Sequence, residues 1–264
     1  MRHTNHPDDG IRGRPYSKGF YAAQEPDSIR SAEVIVPIVT GLTRPKSVVD
    51  VGCGTGTWLS VFQKFGVQDI VGIDGEWVDP RSLRIPPERF RTADLSEPLR
   101  LGRSFDLVMS LEVAEHLPAS SAPTFVDSLV NPGPVVVFSA AIPQQGGTHH
   151  LNEQWPDYWV RLFEARGYRV IDCIRRRVWN NPEVQWWYAQ NTFVFASDAC
   201  LRESPTLLGE RQNTHLSQLA LVHPRKYLDV ADPTNLSMRT LLRTAAAKYR
   251  NRIRTKTNGK EGTG

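Results

Sequence analysis

Short apolar segments alternate with amphipathic segments along the middle of the chain, and this alternation restricts the fold more than any other feature. The strand candidates are SVVDVG, DIVGID, RFRTADL, FDLVMSLE, PVVVFSAA, YRVIDCI and NTFVFAS, and several are separated by the helix candidates TWLSVFQKFG, APTFVDSLV and EQWPDYWVRLFEARG. Such alternation is typical of a mostly parallel sheet covered by helices on both faces. No helical pattern separates the last two candidates, so we expect the seven-stranded sheet to end in a hairpin-like, antiparallel strand.

The chain is predicted to divide into three parts. Residues 1–26 are rich in proline, glycine and charge and indicate a flexible N-terminal arm. Residues 27–200 hold the alternating pattern, which opens with a helix capped by Asp27 or Ser28 and ended by Gly41. Residues 201–264 are interpreted as a linker followed by a basic extension.

Composition favours a cytoplasmic protein. The three cysteines, Cys53, Cys173 and Cys200, are odd in number and unclustered, which fits a reducing compartment. The first residues contain no apolar run of the kind found in signal peptides, and no apolar stretch is long enough to span a bilayer. The net charge of +4 arises in the tail, where eight Lys and Arg lie between Ser237 and Lys260 without an acidic residue. The rest of the chain is therefore mildly acidic, which argues against nucleic acid as its ligand.

A glycine-rich turn, VGCGTG, joins the first strand candidate to the following helix candidate. Gly52, Gly54 and Gly56 follow the G-x-G-x-G spacing, and Asp50 lies two residues before the first of them. A dinucleotide site would place its third glycine one residue later, and a P-loop would supply a lysine that is missing here. The turn therefore argues against a dinucleotide site and against a nucleoside triphosphate as ligand.

The D-x-G-x-G-x-G pattern resembles motif I of the class I S-adenosylmethionine-dependent methyltransferases, which have a Rossmann-like fold. The resemblance extends over roughly residues 34–197 and implies S-adenosyl-L-methionine as cofactor. It implies that Asp74 in VGID binds the ribose hydroxyls and that Asp94 in TADL, followed by Leu95, meets the adenine. The cofactor-binding residues expected on this basis are Asp50, Gly52, Gly54, Gly56, Asp74, Asp94, Leu95 and Glu112.

The acceptor site is expected near the run GGTHHLNE, which follows the fifth strand candidate. An O-methyltransferase has to remove the proton of the acceptor hydroxyl, and a histidine is a suitable general base. His149 or His150 is therefore predicted to be that base, with Glu115 and His116 of SLEVAEHLP as further catalytic candidates. The expected acceptor is a hydroxyl group of a small molecule or glycan.

A metal-dependent mechanism is the alternative interpretation of the same residues. Glu112, Glu115 and His116, together with His149, resemble the E-x-x-E-H plus histidine set of the small-RNA 2′-O-methyltransferases. The segment also resembles the ubiquinone-pathway O-methyltransferases. This resemblance would imply Mg²⁺, Mn²⁺ or Zn²⁺ and, in the first case, an RNA acceptor. A catalytically inactive scaffold that binds the cofactor is the third interpretation.

Two further segments carry predictions of their own. Trp159, Leu162 and Phe163 share one helical face and are expected in the core, whereas the consecutive aromatic residues of VQWWYAQN cannot all point inward. In the tail, apolar residues recur every three or four positions among the basic ones, which predicts a basic amphipathic helix. Such a helix could associate weakly with an anionic membrane surface or bind a polyanion, but the small apolar face favours a solvated extension or packing on its own domain or a second subunit.

Overall fold

The predicted strands all form, and they build one sheet. The computed structural model describes residues 18–235 and 238–258. The strands are β1 Ser47–Val51, β2 Asp69–Asp74, β3 Phe90–Thr92, β4 Leu107–Leu111, β5 Val135–Ser139, β6 Tyr168–Ile171 and β7 Phe193–Ser197. Their order across the sheet is β3-β2-β1-β4-β5-β7-β6, with β7 antiparallel to both of its neighbours and every other pair parallel. The predicted α/β fold, a seven-stranded and mostly parallel sheet with an antiparallel last strand, is confirmed.

Helices cover the sheet, and three of them match the predicted segments. The α-helices are α1 Lys18–Thr43, α2 Thr57–Lys64, α3 Ala122–Val130, α4 Pro156–Glu164, α5 Arg175–Val178, α6 Trp186–Asn191, α7 Asp198–Glu203, α8 Pro205–Gln212, α9 Pro224–Ala231 and α10 Met238–Asn258. Helices α2, α3 and α4 lie where the sequence places them. The chain packs in the order strand, helix, strand that the alternation predicts.

Both ends of α1 differ from the prediction. The helix begins before Asp27 and contains Pro26, and Gly41 lies inside it rather than after its end. The helix stops at Arg44 instead, which has a φ of +46° and donates its N–H to the carbonyl of Thr40 at 2.8 Å. A left-handed residue of this kind ends many helices, but it is usually a glycine. The sequence signal for the end therefore pointed to the wrong residue.

Two hydrophobic clusters fill the space between the sheet and its helices. Adjacent residues of one strand contribute to opposite clusters: Val48 packs with α1 and α2, whereas Val49 packs with the cluster of α3 and α4. This follows from the alternation of side chains along a strand. Trp159 and Phe163 of α4 are buried in the second cluster, with Leu162 packed against it, as predicted. The stacked rings of Phe163 and Phe195, 3.8 Å apart at their centroids, join α4 to β7.

The region after β6 is more helical than the sequence indicated. Helices α5 and α6 lie between β6 and β7, so their connection is not a simple hairpin although the two strands pair antiparallel. Residues interpreted as linker form α7 and α8, where Leu201 and Leu207 are buried. These helices have four to eight residues each, too few for a helical period to appear clearly in the sequence.

The chain divides into two compact units, Met1–Leu221 and Val222–Gly264. The first contains the sheet, and the second contains α9 and α10. The expected boundary at residue 200 and the arm at residues 1–26 stay predictions, and residues 1–17 of that arm lie outside the described residues. Among the residues that the structure describes, no helix is long and apolar enough to cross a membrane.

Candidate active site at the carboxyl edge of the sheet

The turn after β1 depends on glycines in the left-handed region of backbone conformation. The φ angle is +88° at Gly52, +54° at Gly54 and +80° at Gly56, which glycine adopts without the steric cost of a Cβ atom. Gly52 has a second requirement, because a Cβ there would lie 2.3 Å from Cγ2 of Val113. Gly52 also donates its N–H to the carbonyl of Ile73 and so ties the turn to β2. The glycine pattern is thus explained by backbone conformation and close packing.

Asp74, at the end of β2, faces this turn. Its Oδ2 accepts the N–H of Gly54 at 2.6 Å, and its Oδ1 accepts the N–H of Gly75 at 2.6 Å. Burial raises the pKa of Asp74, while the two hydrogen bonds act in the opposite direction. Asp50 is also buried, and this burial, with the Asp74 carboxylate second, raises the pKa of Asp50 to about 8. A cationic ligand group in this poorly hydrated space would favour the ionised carboxylates.

Asp94 emerges beyond β3 on the same edge as Asp74, because β2 and β3 are parallel and pair Asp74 with Thr92. Its Oδ1 accepts the hydroxyl of Ser96 at 2.6 Å and the N–H of Ser96 at 2.9 Å. These two hydrogen bonds lower the pKa of Asp94, so this exposed carboxylate is ionised at neutral pH. Leu95 is buried beside it.

These carboxyl groups fit the cofactor that the sequence resemblance implies. A carboxylate oxygen has two acceptor sites, so Asp74 could bind ribose hydroxyls while keeping its bonds to the turn. Asp94 would accept from the adenine amino group, and Asp50 lies near enough to Asp74 to share an interaction with a positive group. Ligands of open α/β sheets bind at this carboxyl edge.

Glu112 follows β4 with a φ of +54° and is held by two amide side chains. Gln145 donates to its Oε2 at 2.9 Å, Asn191 donates to its Oε1 at 3.1 Å, and Asn191 also donates to Oε1 of Gln145 at 2.8 Å. Burial raises the pKa of Glu112, with the Asn191 bond opposing it. Gln145 and Asn191 were not predicted from the sequence, because they lie 33 and 79 residues from Glu112 and only the fold joins them.

Glu115, His116 and His150 converge next to Glu112. One ligand atom from each of the three lies within 4.8 Å of the others, and the two imidazole rings meet edge to face at 4.9 Å between centroids. Neither oxygen of the buried Glu115 accepts a hydrogen bond of normal geometry. Burial, followed by the charge of Glu112, raises the pKa of Glu115 well above its usual range. Burial, followed by His150, lowers the pKa of His116 to about 4, so this imidazole is neutral at pH 7.

The loop between β5 and α4 brings His150 into this group, and Glu153 fixes the loop. Oε1 of Glu153 contacts Nδ1 of His150 at 2.8 Å and accepts the N–H of Gly146 at 2.8 Å, while Oε2 accepts the N–H of Gln144 at 2.7 Å. With the proton on Nδ1, the other ring nitrogen of His150 is left as an acceptor. Glu153 was not predicted from the sequence, because its contacts with Gln144, Gly146 and His150 form only when the loop folds.

His149 precedes His150 on this loop and also lies near His116. Its side chain is exposed, its φ is +58°, and it does not belong to the group formed by Glu115, His116 and His150. The structure therefore separates two histidines that the sequence could not tell apart. Of the two, His150 places a ring nitrogen with Glu115 and His116, whereas His149 lies near His116 without contributing a ligand atom to that group.

The consecutive aromatic residues near α6 divide between surface and interior. Tyr188 is buried, packs edge to face on Trp58 of α2 at 5.1 Å and lies 3.4 Å from the hydroxyl of Ser28. Trp186 and Trp187 are half-buried. Helix α1 therefore contacts α6 through Ser28.

The chain is similar to known methyltransferases in sequence and in fold. A family described as "Methyltransferase domain" matches residues 30–177. The dTDP-3-amino-3,4,6-trideoxy-alpha-D-glucopyranose N,N-dimethyltransferase of Streptomyces venezuelae is 33% identical over 166 residues, which are 60% of this chain and 62% of that protein. This chain thus spans less than two thirds of the length of that curated relative.

Two solved structures share the fold. DesVI of Streptomyces venezuelae has a TM-score of 0.50 and 19% identity, over 67% of this chain and 95% of that one. The sugar N-methyltransferase KedS8 from Streptoalloteichus has a TM-score of 0.52 and 17% identity, over 74% of this chain and 99% of that one. At these identities the likeness is one of fold.

Proposed function

Because the chain belongs to the class I S-adenosylmethionine-dependent methyltransferase family, we propose that it transfers a methyl group from that cofactor to a hydroxyl of a sugar or sugar-like small molecule. The family implies the cofactor. A saccharide acceptor is supported by the relatives, since one is named for a deoxyamino sugar nucleotide and another is named a sugar N-methyltransferase. Support for a hydroxyl acceptor comes from the acceptor side of the site.

The cofactor would be held by the glycine turn, Asp74 and Asp94, with Asp50 beneath the turn. When bound, it supplies a methyl group on a positively charged sulfur, which is transferred directly to a nucleophile. This chain contributes by holding the acceptor in line with that methyl group, and such positioning removes much of the entropic barrier. The carboxyl edge of the sheet, where β1, β2 and β4 end, provides the common surface for both groups.

The contact between His150 and Glu153 is the observation that supports His150 as the general base. A hydroxyl has to lose its proton as it attacks, and Nε2 of His150 is the acceptor left when Nδ1 donates to Glu153. Glu153 holds the ring in this tautomer, and Glu115 and His116 form the wall beside it. His150 therefore takes the role that the sequence left open between His149 and His150.

The test is methyl transfer from labelled S-adenosylmethionine to a panel of nucleotide-linked sugars. His150→Ala is expected to lower kcat by about 100-fold or more, while His149→Ala changes it only a few-fold. Asp94→Ala is the cofactor control: it should weaken cofactor binding, measured by calorimetry, by roughly tenfold or more, since it removes a charged hydrogen-bond acceptor. The base assignment is wrong if His149→Ala loses activity and His150→Ala keeps it. The function is wrong if the wild-type chain does not bind the cofactor.

A metal-dependent version is the second candidate, and the buried Glu115 favours it. A divalent ion at Glu115, His116 and His150 would satisfy the carboxylate oxygens that accept no normal hydrogen bond. The donor set fits such an ion once Glu115 has lost its proton. Exhaustive chelation separates the two versions: activity that survives chelation supports His150 as the base, whereas activity restored by Mg²⁺, Mn²⁺ or Zn²⁺ supports the ion.

The panel also distinguishes oxygen from nitrogen as acceptor. The named relatives are N-methyltransferases, and the neighbouring Glu112 and Glu115 carboxyl groups would accommodate an amino group. Transfer to amino sugars but not to their hydroxyl analogues would therefore reassign the acceptor atom while keeping the cofactor site.

A further inference from the structure

We propose that α10 binds the surface of an anionic phospholipid bilayer and brings the protein to it. Helix α10 is the longest element of the second compact unit, with 21 residues. Seven of those residues are Lys or Arg, and none is Asp or Glu. The excess of positive charge on one regular element is the first of two features that define its partner.

The second feature is apolar surface on the same helix. Met238, Leu242 and Tyr249 are 70%, 65% and 69% exposed. Their spacing of four and seven residues places them on one side of the helix, and Arg243 and Arg250 follow Leu242 and Tyr249 directly, at the border of that side. Exposed large apolar side chains that share a face bordered by cations are characteristic of helices that lie in the headgroup region of a membrane.

A bilayer surface accounts for both the positive charge and the exposed apolar side chains, whereas a second copy of the chain or a nucleic acid does not. A second copy of α10 would bring two all-positive helices together, and like charges disfavour that contact. A nucleic acid would take up the cations but would leave Met238, Leu242 and Tyr249 in water. Anionic headgroups neutralise the cations while the acyl boundary receives the apolar face. Binding would lie in the plane of the surface, since none of the described helices meets the requirement for a span.

Vesicle co-sedimentation of the full chain tests the proposal. Binding is expected to vesicles of phosphatidylcholine mixed with phosphatidylglycerol, and not to phosphatidylcholine alone. The triple variant Arg243→Gln, Lys248→Gln, Arg250→Gln should bind on the order of 100-fold more weakly, at about fivefold per cation removed. The double variant Leu242→Gln, Tyr249→Gln should also lose binding, while Thr244→Gln, on the opposite side of the helix, should bind like the wild type.

Two further measurements make the result decisive. Circular dichroism of each variant should be unchanged, and the Leu242 and Tyr249 variant should remain helical while losing the vesicles. A DNA duplex serves as the competing polyanion. Absence of vesicle binding, equal binding to neutral vesicles, or vesicle binding that the duplex abolishes and that does not depend on Leu242 and Tyr249 would overturn the proposal. None of these outcomes depends on methyl transfer.

Discussion

Two residues determine where the His150 ring lies. Glu153 holds Nδ1 of the ring, and Gly147 lies against its other side: a Cβ on Gly147 would be 2.2 Å from Nε2 of His150. The absence of a side chain at Gly147 is therefore a condition for the ring position. The neighbouring Gly146 differs, because a Cβ there would meet nothing within 4 Å.

Gly147→Ala is expected to displace His150 and lower kcat by about tenfold or more, with cofactor affinity unchanged, because misplacement of a reacting group by an ångström is costly. Gly146→Ala is the matched variant. Both alanines have to adopt a positive φ, +70° at Gly146 and +158° at Gly147, which costs each variant about 1 kcal/mol or more in stability, but only the alanine at Gly147 meets His150. Steady-state kinetics and calorimetry of the pair give the comparison. Equal losses of kcat in both variants would show that loop strain, and not the contact with His150, controls the rate.

At the scale of elements, the strands could be predicted from the sequence, whereas the loops around the site could not. Each strand is a short apolar run bounded by polar or turn residues, so local sequence specifies it. Helices α5 to α8 are too short to show a period, and the end of α1 is fixed by Arg44 rather than by the glycine that usually does so. For the same reason Asp50, Asp74 and Asp94 could be selected from their positions at strand ends. Glu153 and Asn191 could not, because their roles depend on hydrogen bonds formed only after folding.

The loop of residues 143–153 is expected to depend on one carboxylate. Glu153→Ala removes the acceptor of two backbone N–H groups and of the His150 ring. Amide hydrogen exchange within the loop should then rise by about tenfold or more, while the amides of β1 and β4 keep their protection. Thr148→Ala, an exposed change in the same loop, should leave exchange at the wild-type level. Unchanged exchange in the Glu153 variant would mean that the contacts of Leu151 and Asn152 with the carbonyl of Glu115 are sufficient to hold the loop.

At the scale of the whole molecule, the buried carboxyl groups of the site reduce stability. Burial raises the pKa of Asp50 to about 8 in the folded state, whereas in the unfolded chain Asp50 releases its proton near the ordinary aspartate pKa of 3.8. Folding must therefore take up a proton between these values, and the stabilisation present at low pH is lost as pH rises through this range. The family assignment, which rested on Asp50, the glycines and the two later carboxylates, is confirmed. The burial of the Asp50 and Asp74 carboxyl groups lowers the free energy of unfolding of the cofactor-free protein.

Asp50→Asn should therefore stabilise the cofactor-free protein, and the gain should increase with pH. Between pH 5 and pH 7 the difference in the free energy of unfolding is expected to grow by about 1–3 kcal/mol, because one pKa unit corresponds to about 1.4 kcal/mol. Denaturant unfolding at both pH values measures it. The exposed Glu97→Gln provides the control, with no such pH dependence. A gain that is the same at both pH values would show that packing, and not ionisation, distinguishes the variant.

The position of β7 between β5 and β6 has a consequence for how the chain is made. During synthesis β6 leaves the ribosome before β7, yet β7 is its partner in the sheet. The backbone N–H and C=O groups of residues 168–171 therefore have no native strand partner until residues 193–197 have emerged and paired with β5. A nascent chain that has reached only residue 177, where the family match ends, contains Asp50, Asp74 and Asp94 but has an incomplete sheet. We therefore expect stable folding only after β7 has been synthesised. In a protease assay on nascent chains of increasing length, resistance to cleavage should begin at lengths that include residues 193–197.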